Sequence, residues 1–412
     1  MRLLVVSQHF WPENFRINDL VAELVARGHD VTVLTGLPNY PDGDIYPEFA
    51  AQPGRFTRYA GADIVRVPMV ARGRSTLQLM LNFASFAVSG ALLGPWRLRG
   101  RRFDAVFTFL NSPATAGLPA TLLAALKSAP LIFWVLDLWP ETLRAVGAVR
   151  SPLILRAVGR LMAFMYNRCA VILAQSRSFV PQIGRYCRHP ERVVYFPNWA
   201  ESLFKVAEAE PAPEVPLHVG SFDVMFAGNI GEAQDFPAIL AAAEELRTES
   251  RIRWLIVGDG RMAGWVAAEV ERRGLQQQVL LLGRFPVERM PSFYLHAGAL
   301  LVSLKDDPIF AMTIPGKLQS YLAAGVPIVA MLNGEGADVI ERARAGATCR
   351  AGDSAGLAAA VRRLANSSDT ALAEMSRNAL ALSATEFDRH TLINRLEHWL
   401  AKAASNGHPG VT

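Results

Sequence analysis

The sequence is short of cysteine and of lysine, and each shortage is informative. Its three cysteines are Cys169, Cys187 and Cys349. They are odd in number and far apart, which fits neither a disulfide framework nor a zinc site and points to a reducing, cytosolic setting. Lysine occurs five times, at 127, 205, 305, 317 and 402, beside many arginines, so the position of each one carries weight. Charged residues make up only 19% of the chain and hydrophobic ones 51%, which excludes a disordered polymer. No self-similarity appears at the roughly 20–50-residue periods of repeat architectures. No His/Asp/Glu cluster has ligand spacing, Asp306-Asp307 coming nearest, so neither a metal nor another cofactor is expected. Met1-Arg2 runs straight into Leu3-Leu4-Val5-Val6. That is not the three-part pattern of a secretory leader and is expected to be a buried first strand.

Positive charge is present but uneven. Residues 1–200 hold 22 Lys/Arg against 12 Asp/Glu, and residues 201–412 hold 20 against 25. A basic half joined to an acidic half predicts that the first half meets something anionic. Nucleic acid is disfavoured, because the arginines do not interleave with aromatics as in single-strand grooves. A membrane surface is preferred. Residues 77–96, LQLMLNFASFAVSGALLGPW, carry no charge and lead into Arg97-Leu-Arg-Gly-Arg-Arg102. Length and basic flank fit a span. Yet Gln78, Asn82, Ser85 and Ser89 recur as a polar stripe, and the segment sits between two predicted strands of one sheet. Two placements stay open: a buried helix, or a helix docked on the membrane with its arginines at headgroup phosphates.

Short apolar runs alternate with helical patterns along the rest of the chain. Strands are predicted at 3–6, 31–34, 64–67, 105–109, 131–136 and 171–174, and again at 224–227, 253–257, 279–282, 299–303 and 327–330. Continuous apolar strands separated by helices give parallel sheets covered on both faces. The pattern runs twice, so the fold class is α/β with two doubly wound domains. The expected division is 1–200, 201–375 and a helical segment at 376–412 with a polar tail. The Ala/Glu/Pro-rich stretch 201–217 is read as a linker or exposed loop.

In open parallel sheets, ligands bind beyond the carboxyl ends of the strands. After the first strand come His9, Glu13, Asn14 and Arg16, and after the second come Asn39 and Tyr40, all able to contact a polar acceptor. Asp137 follows the fifth strand, where it could orient or deprotonate a substrate hydroxyl or cap the next helix. In the second half, Gly228, Asn229, Ile230 and Gly231 form a G-x-x-G loop suited to a phosphate. Its spacing fails the G-x-G-x-x-G dinucleotide pattern, which argues against NAD or FAD. Arg284 and Phe285 offer a place for a base. Pro315-Gly316 reads as a helix opening with Lys317 in its first turn, a cation where the helix dipole disfavours one. An anion held jointly by that lysine and the helix N-terminus removes the conflict. Gln319, Ser320 or Tyr321 could then reach a sugar or ribose hydroxyl.

The strings SQHFWPENFRINDL, GLPNYPDGDIY, DLWPE, PNWAE, GNIGEAQ and IPGKLQSYLAAGVPIVA resemble retaining glycosyltransferases of the GT-B fold, family 4. The closer likeness is to the bacterial subgroup that adds N-acetyl-fucosamine-like sugars in O-antigen and capsule assembly. The resemblance implies two facing Rossmann-like domains with an interdomain cleft, and a C-terminal helix that crosses back onto the first domain. It also implies a UDP-sugar donor and a polyprenyl-diphosphate-linked acceptor at the cytoplasmic membrane face. The sequence departs from the wider family where Met312 and Ser320 replace a glutamate pair. Asn229 and Gln234 replace an arginine and a lysine, and Leu136 stands where a histidine is common. The expected donor site is therefore Gly228, Asn229, Ile230, Arg284, Phe285, Pro315, Gly316, Lys317 and Gln319. Asn14, Asp137 and Lys317 are expected in catalysis, and His9, Glu13, Arg16 and Asn39 at the acceptor. A UDP-sugar 2-epimerase of the same architecture and a catalytically dead membrane scaffold are the rival readings.

Overall fold

The structure is a computed structural model. It describes residues 1–412 except 41–42, 74, 146, 148, 150, 201–203, 205–208 and 406–412. The undescribed residues include part of the expected 201–217 linker and nearly all of the polar tail. The chain divides into two compact units, Met1–Phe196 with Ile393–Thr412, and Pro197–Leu392.

The first unit is built on β1 (Arg2–Val6), β2 (Asp30–Thr35), β3 (Arg58–Tyr59), β4 (Ala62–Arg66), β5 (Ala105–Leu110), β6 (Leu131–Val135), β7 (Cys169–Ala174) and β8 (Val193–Tyr195). They lie in the order β3-β4-β2-β1-β5-β6-β7-β8. Every neighbouring pair is parallel except β3 with β4. β5 and β6 are buried at every residue, because helices cover both faces of the sheet and leave no side for polar alternation. Trp134 of β6 is fully buried, and its indole N–H donates to Phe196 O at 3.2 Å.

The second unit carries β9 (Phe222–Ala227), β10 (Ile252–Val257), β11 (Val279–Gly283), β12 (Ala299–Ser303), β13 (Ile328–Met331) and β14 (Gly346–Cys349). Their order is β11-β10-β9-β12-β13-β14, all parallel. In both sheets the order reverses beside the unit's first strand, at β1/β5 and at β9/β12. Such a switch point is where a doubly wound sheet opens a crevice for a ligand.

Two boundaries differ from expectation. The helix Asp369–Thr385 stays with the second unit and packs on the helix Gly316–Ala324, so the chain leaves that unit at Leu392 and not at 376. The final helix, Arg389–Ser405, then lies on the first unit. There Glu397 pairs with Arg27 at 2.6 Å and with His29 at 2.7 Å, and Trp399 meets Phe196 edge-on. The described end of the 201–217 stretch is not simply exposed either. Ala212 and Val215 are buried, Ala212 N donates to Ser292 O, and Arg253 donates to Pro216 O at 2.8 Å. The small and branched residues among its prolines are packing contacts of the second unit.

The uncharged segment forms one helix, Thr76–Arg97, opened by a Ser75 cap on Gln78 N. Of its polar stripe, Gln78 is exposed, whereas Asn82 and Ser85 bond inward. Asn82 is fully buried, accepts from Gln8 Nε2 at 2.7 Å and donates to Val70 O at 2.6 Å. Ser85 accepts from Val70 N.

Candidate functional site

In the first unit, the loop after β1 is organised by a carboxylate. Glu13 is 1% exposed. It accepts from the N–H groups of Asn39 and Tyr40 at 2.8 Å, from Phe10 N at 3.1 Å, and from His9 Nδ1 at 3.1 Å to each oxygen. It therefore ties the loops after β1 and β2 together instead of offering an oxygen to an acceptor. Asn39, also expected at the acceptor, is fully buried. Its amide donates to Leu37 O and accepts from Arg72 N. Asn14 is exposed, and Arg16 opens the helix Arg16–Ala26.

His9 is the residue this scaffold holds in place. Its ring stacks on Phe15 at 5.2 Å and tilts against Tyr40. A carboxylate only accepts, so Nδ1 carries a proton toward Glu13; in the neutral tautomer this leaves the lone pair on Nε2. That Nε2 is buried without a partner, in a small pocket lined also by Gln8, Phe15, Asn111 and Ser112. The pocket sits at the β1/β5 switch point. Asp137, after β6, closes the same corner by accepting from Ser112 N at 2.9 Å. It does not cap the next helix. Burial raises its carboxyl pKa above the usual range, opposed by that N–H. The loops after β1, β5 and β6 each contain a cis X–Pro bond, at Pro12, Pro113 and Pro140. Asn111, Ser112 and Gln8 were not singled out from the sequence. Their signal was position, just past the ends of β5 and β1.

In the second unit, Lys317 dominates the switch point. Pro315 stands at the N-cap of the helix Gly316–Ala324 with no side-chain cap; Leu318 N donates back to Pro315 O at 2.9 Å, and the Gly316 and Lys317 N–H groups face the helix start where an anion would sit. Lys317 Nζ is buried, has no hydrogen-bond partner among the described residues, and lies 3.3 Å from the centroid of the Phe226 ring. Burial lowers its pKa to about 7. The G-x-x-G loop serves this lysine differently from what its spacing suggests. Gly228 N donates to Val257 O, Ile230 N to Asp259 O, and Gly231 N to Gln234 Oε1. Those three amides are spent internally. Gly228, at φ +133°, instead provides room: a Cβ there would stand 2.6 Å from Lys317 Cε.

Gln319 and Tyr321 are likewise structural. Gln319 is fully buried, and in the orientation that satisfies its amide it donates to Pro315 O at 2.9 Å and Gly316 O at 3.0 Å. The Tyr321 hydroxyl bonds Ala227 N and O at the end of β9. Asn229 is exposed, with its side chain beside Gly231 and Gly260. Arg284 is exposed past β11, and Phe285 packs on Phe293 with ring centroids 4.6 Å apart. Glu335, not noticed in the sequence, opens the helix Glu335–Ala343 past β13 and is 7% exposed. Its neighbour Gly336 lies against Pro315, so the two helix starts adjoin. Asp307 caps its own short helix through Ile309 N, and among the described residues no His/Cys/Asp/Glu group could hold a metal.

Gly228→Ala tests the room left for the lysine. The backbone there is in a glycine-only region, and the new methyl meets the lysine stem. The variant is expected to lose about 1–3 kcal/mol in denaturant unfolding. Gly264→Ala, a helical glycine with open space around it, is expected to be neutral or up to about 1 kcal/mol more stable.

Comparison with known proteins agrees with this architecture. Residues 14–199 match the model of a glycosyl transferase 4-like domain, and residues 221–367 match that of glycosyl transferases group 1. The chain is 28% identical over 349 residues to a putative colanic acid biosynthesis glycosyl transferase, WcaI, of Escherichia coli K12, covering 79% of this chain and 82% of that one. Among solved structures it resembles Anabaena HepE in complex with UDP and glucose, with a TM-score of 0.68, 14% identity, and coverage of 97% and 99% of the two chains. It also resembles WaaG, a glycosyltransferase involved in lipopolysaccharide biosynthesis, with a TM-score of 0.65, 15% identity and full coverage of both. Two consecutive glycosyltransferase domains, each on a parallel sheet with its candidate ligand groups at the switch point, make this chain a GT4-like glycosyltransferase of the GT-B fold.

Proposed function

We propose that the protein moves a sugar from a UDP-sugar to a lipid-linked glycan acceptor in surface polysaccharide biosynthesis, with retention. The cytoplasmic face of the cell membrane is its place of work. The observation that carries this reading is Lys317, a buried ammonium without a polar partner beside an uncapped helix start. A nucleotide diphosphate supplies the missing anion. As the glycosidic bond breaks, charge grows on that diphosphate, and Lys317 with the Gly316 and Lys317 N–H groups stabilises it without a metal. Arg284 and Phe285 are assigned to the base, and Asn229 to the sugar or phosphate edge. In the first unit, His9 Nε2 receives an acceptor hydroxyl, with Asp137 and Asn14 beside it. The relationship to the colanic acid enzyme supports the polysaccharide context, and the UDP held by the Anabaena protein supports the donor class. The likeness of the sequence strings to the N-acetyl-fucosamine subgroup suggests an N-acetylated 6-deoxyhexosamine as the sugar.

The test is a thermal unfolding series with UDP, GDP, TDP and NAD at one concentration. At a hundredfold excess over its dissociation constant a ligand adds about 2.7 kcal/mol. For a unit of this size that raises the midpoint by roughly 5–10 °C. UDP is expected to do so selectively. A larger shift with GDP or TDP would replace the donor, and no shift with any of them would remove the donor assignment. Sugar-nucleotide turnover without acceptor would favour the epimerase instead.

A further inference from the structure

The helix Thr76–Arg97 is amphipathic in the reverse sense. Its polar Asn82 and Ser85 point into the unit, whereas Leu77, Met80, Leu81, Val88, Leu92 and Trp96 are 48–71% exposed. Their spacing of three, one, seven, four and four residues keeps them on one stripe. Only 28% of its apolar window is buried, where a core helix would be mostly enclosed. The exposed surface continues sideways. The helix Gly117–Lys127, which packs against it, exposes Leu122 and Leu126. Beyond that, the helix Pro152–Tyr166 exposes Leu153, Ile154 and Phe164. Contiguous apolar surface on this scale marks an interaction site.

Charge identifies what covers it. Residues 64–103 contain seven arginines and no Asp or Glu, and residues 142–190 contain eight arginines and again no Asp or Glu. Arg97, Arg99 and Arg102, at and just past the end of the apolar stripe, are exposed and have no carboxylate partner among the described residues. Arg156 and Arg160 rise beside Leu153 and Phe164 on the third helix, over a groove that Arg144 and Arg185 also line. A second copy of the chain would place this arginine-rich face against itself, since a two-fold interface uses the same patch twice. A spanning helix is ruled out by its connections. It leaves β4 and returns to β5 of one sheet, and its inner side is bonded to Gln8 and Val70.

We propose that these three helices form a docking face for an anionic phospholipid bilayer. The stripe Leu77–Trp96 lies in the headgroup–acyl boundary, and the arginines reach lipid phosphates. The face is distinct from the pocket holding His9 and from the Lys317 site, and it does not depend on which sugar is transferred.

The experiment is flotation of the full-length protein with vesicles of phosphatidylcholine alone or with phosphatidylglycerol added, at about 0.1 M and about 1 M salt. Wild type is expected to float with the anionic vesicles, less at high salt, and weakly or not at all with neutral ones. Leu81→Glu with Leu92→Glu, both already exposed, is expected to weaken flotation at least about tenfold. The thermal midpoint and the UDP-induced stabilisation should not change. Arg99→Glu with Arg102→Glu should weaken it chiefly at low salt. Failure of wild type to float with anionic vesicles would overturn the proposal, as would undiminished flotation of the leucine pair. A stable dimer in sedimentation that the leucine pair dissociates and vesicles do not would assign the face to a second copy.

Discussion

Lys317→Ala is expected to lower turnover about a hundred- to a thousandfold in a folded protein, the usual cost of removing one preorganised donor from developing charge. The expectation rests on three coincident features. The ammonium has no polar partner and rests on the Phe226 ring, the helix beside it starts without a cap, and Gly228 lacks the Cβ that would displace the stem. The ring contact is the one feature that favours the charge among the described residues, and burial outweighs it, bringing the pKa to about 7. A diphosphate reverses this, because an adjacent anion favours the protonated form. UDP affinity should therefore be level below about pH 7 and weaken as pH rises beyond it, by up to tenfold per unit until the pKa of the complex is reached. Ionisation of the phosphate itself, with a pKa near 6, is nearly complete over that window. Lys317→Arg should flatten the dependence, since guanidinium stays charged.

Stability moves the other way. A lysine whose folded pKa lies below its unfolded value of about 10.4 leaves the unfolded state holding more protons between the two pKa values. Its penalty is greatest below pH 7 and is relieved as pH rises toward 10.4. Lys317→Met keeps the apolar stem over Phe226 without the amine. Its unfolding midpoint at neutral pH should equal or exceed that of wild type, while its UDP-induced shift disappears. Near-normal turnover in folded Lys317→Ala would end the assignment.

Which parts of this were legible in the sequence follows from what each element depends on. Central strands such as β6, LIFWV, and β9, FDVMFA, announce themselves because both faces are covered, so apolar residues must run on without alternation. The strands that escaped notice are β3, β8 and β14, which have two to four residues and lie at sheet edges. With one neighbour each, they need no long apolar run. Lys317 was visible because a rare lysine stood where the helix dipole disfavours a cation. Asn39, Glu13 and Gln319 were misjudged for a shared reason. A polar side chain in a loop or helix start looks like a ligand group until the backbone atoms it serves are known, and those lie up to 33 residues away in sequence, as for Asn39 with Arg72. The direction of the stripe holding Asn82 and Ser85 was left open by its spacing, because only the position of Gln8 and Val70 tells which way it faces.

Glu13→Ala should be the most destabilising single change in the first unit's loops, at about 3–5 kcal/mol, the range for removing one partner of a buried charged network. Three backbone N–H groups, of Phe10, Asn39 and Tyr40, would lose their acceptor together with His9 Nδ1, and water has little access to a side chain 1% exposed. For a unit of about this size the thermal midpoint should fall by roughly 6–20 °C. Glu13→Gln keeps an oxygen for Asn39 and Tyr40 but turns an amide N–H₂ toward Phe10 N or His9. Its loss should be smaller, and it separates the two jobs of the carboxylate. The loops would hold at low temperature, yet His9 Nδ1 would keep only one of the two oxygens it faces and would meet an amide N–H₂ in place of the other, which loosens the hold that points Nε2 into its pocket. Turnover of Glu13→Gln measured well below its midpoint should therefore fall more than its UDP affinity does, because the proposed diphosphate site at Lys317 belongs to the other unit. Equal losses in both would mean the carboxylate acts on the fold alone and leaves His9 without a part in the chemistry.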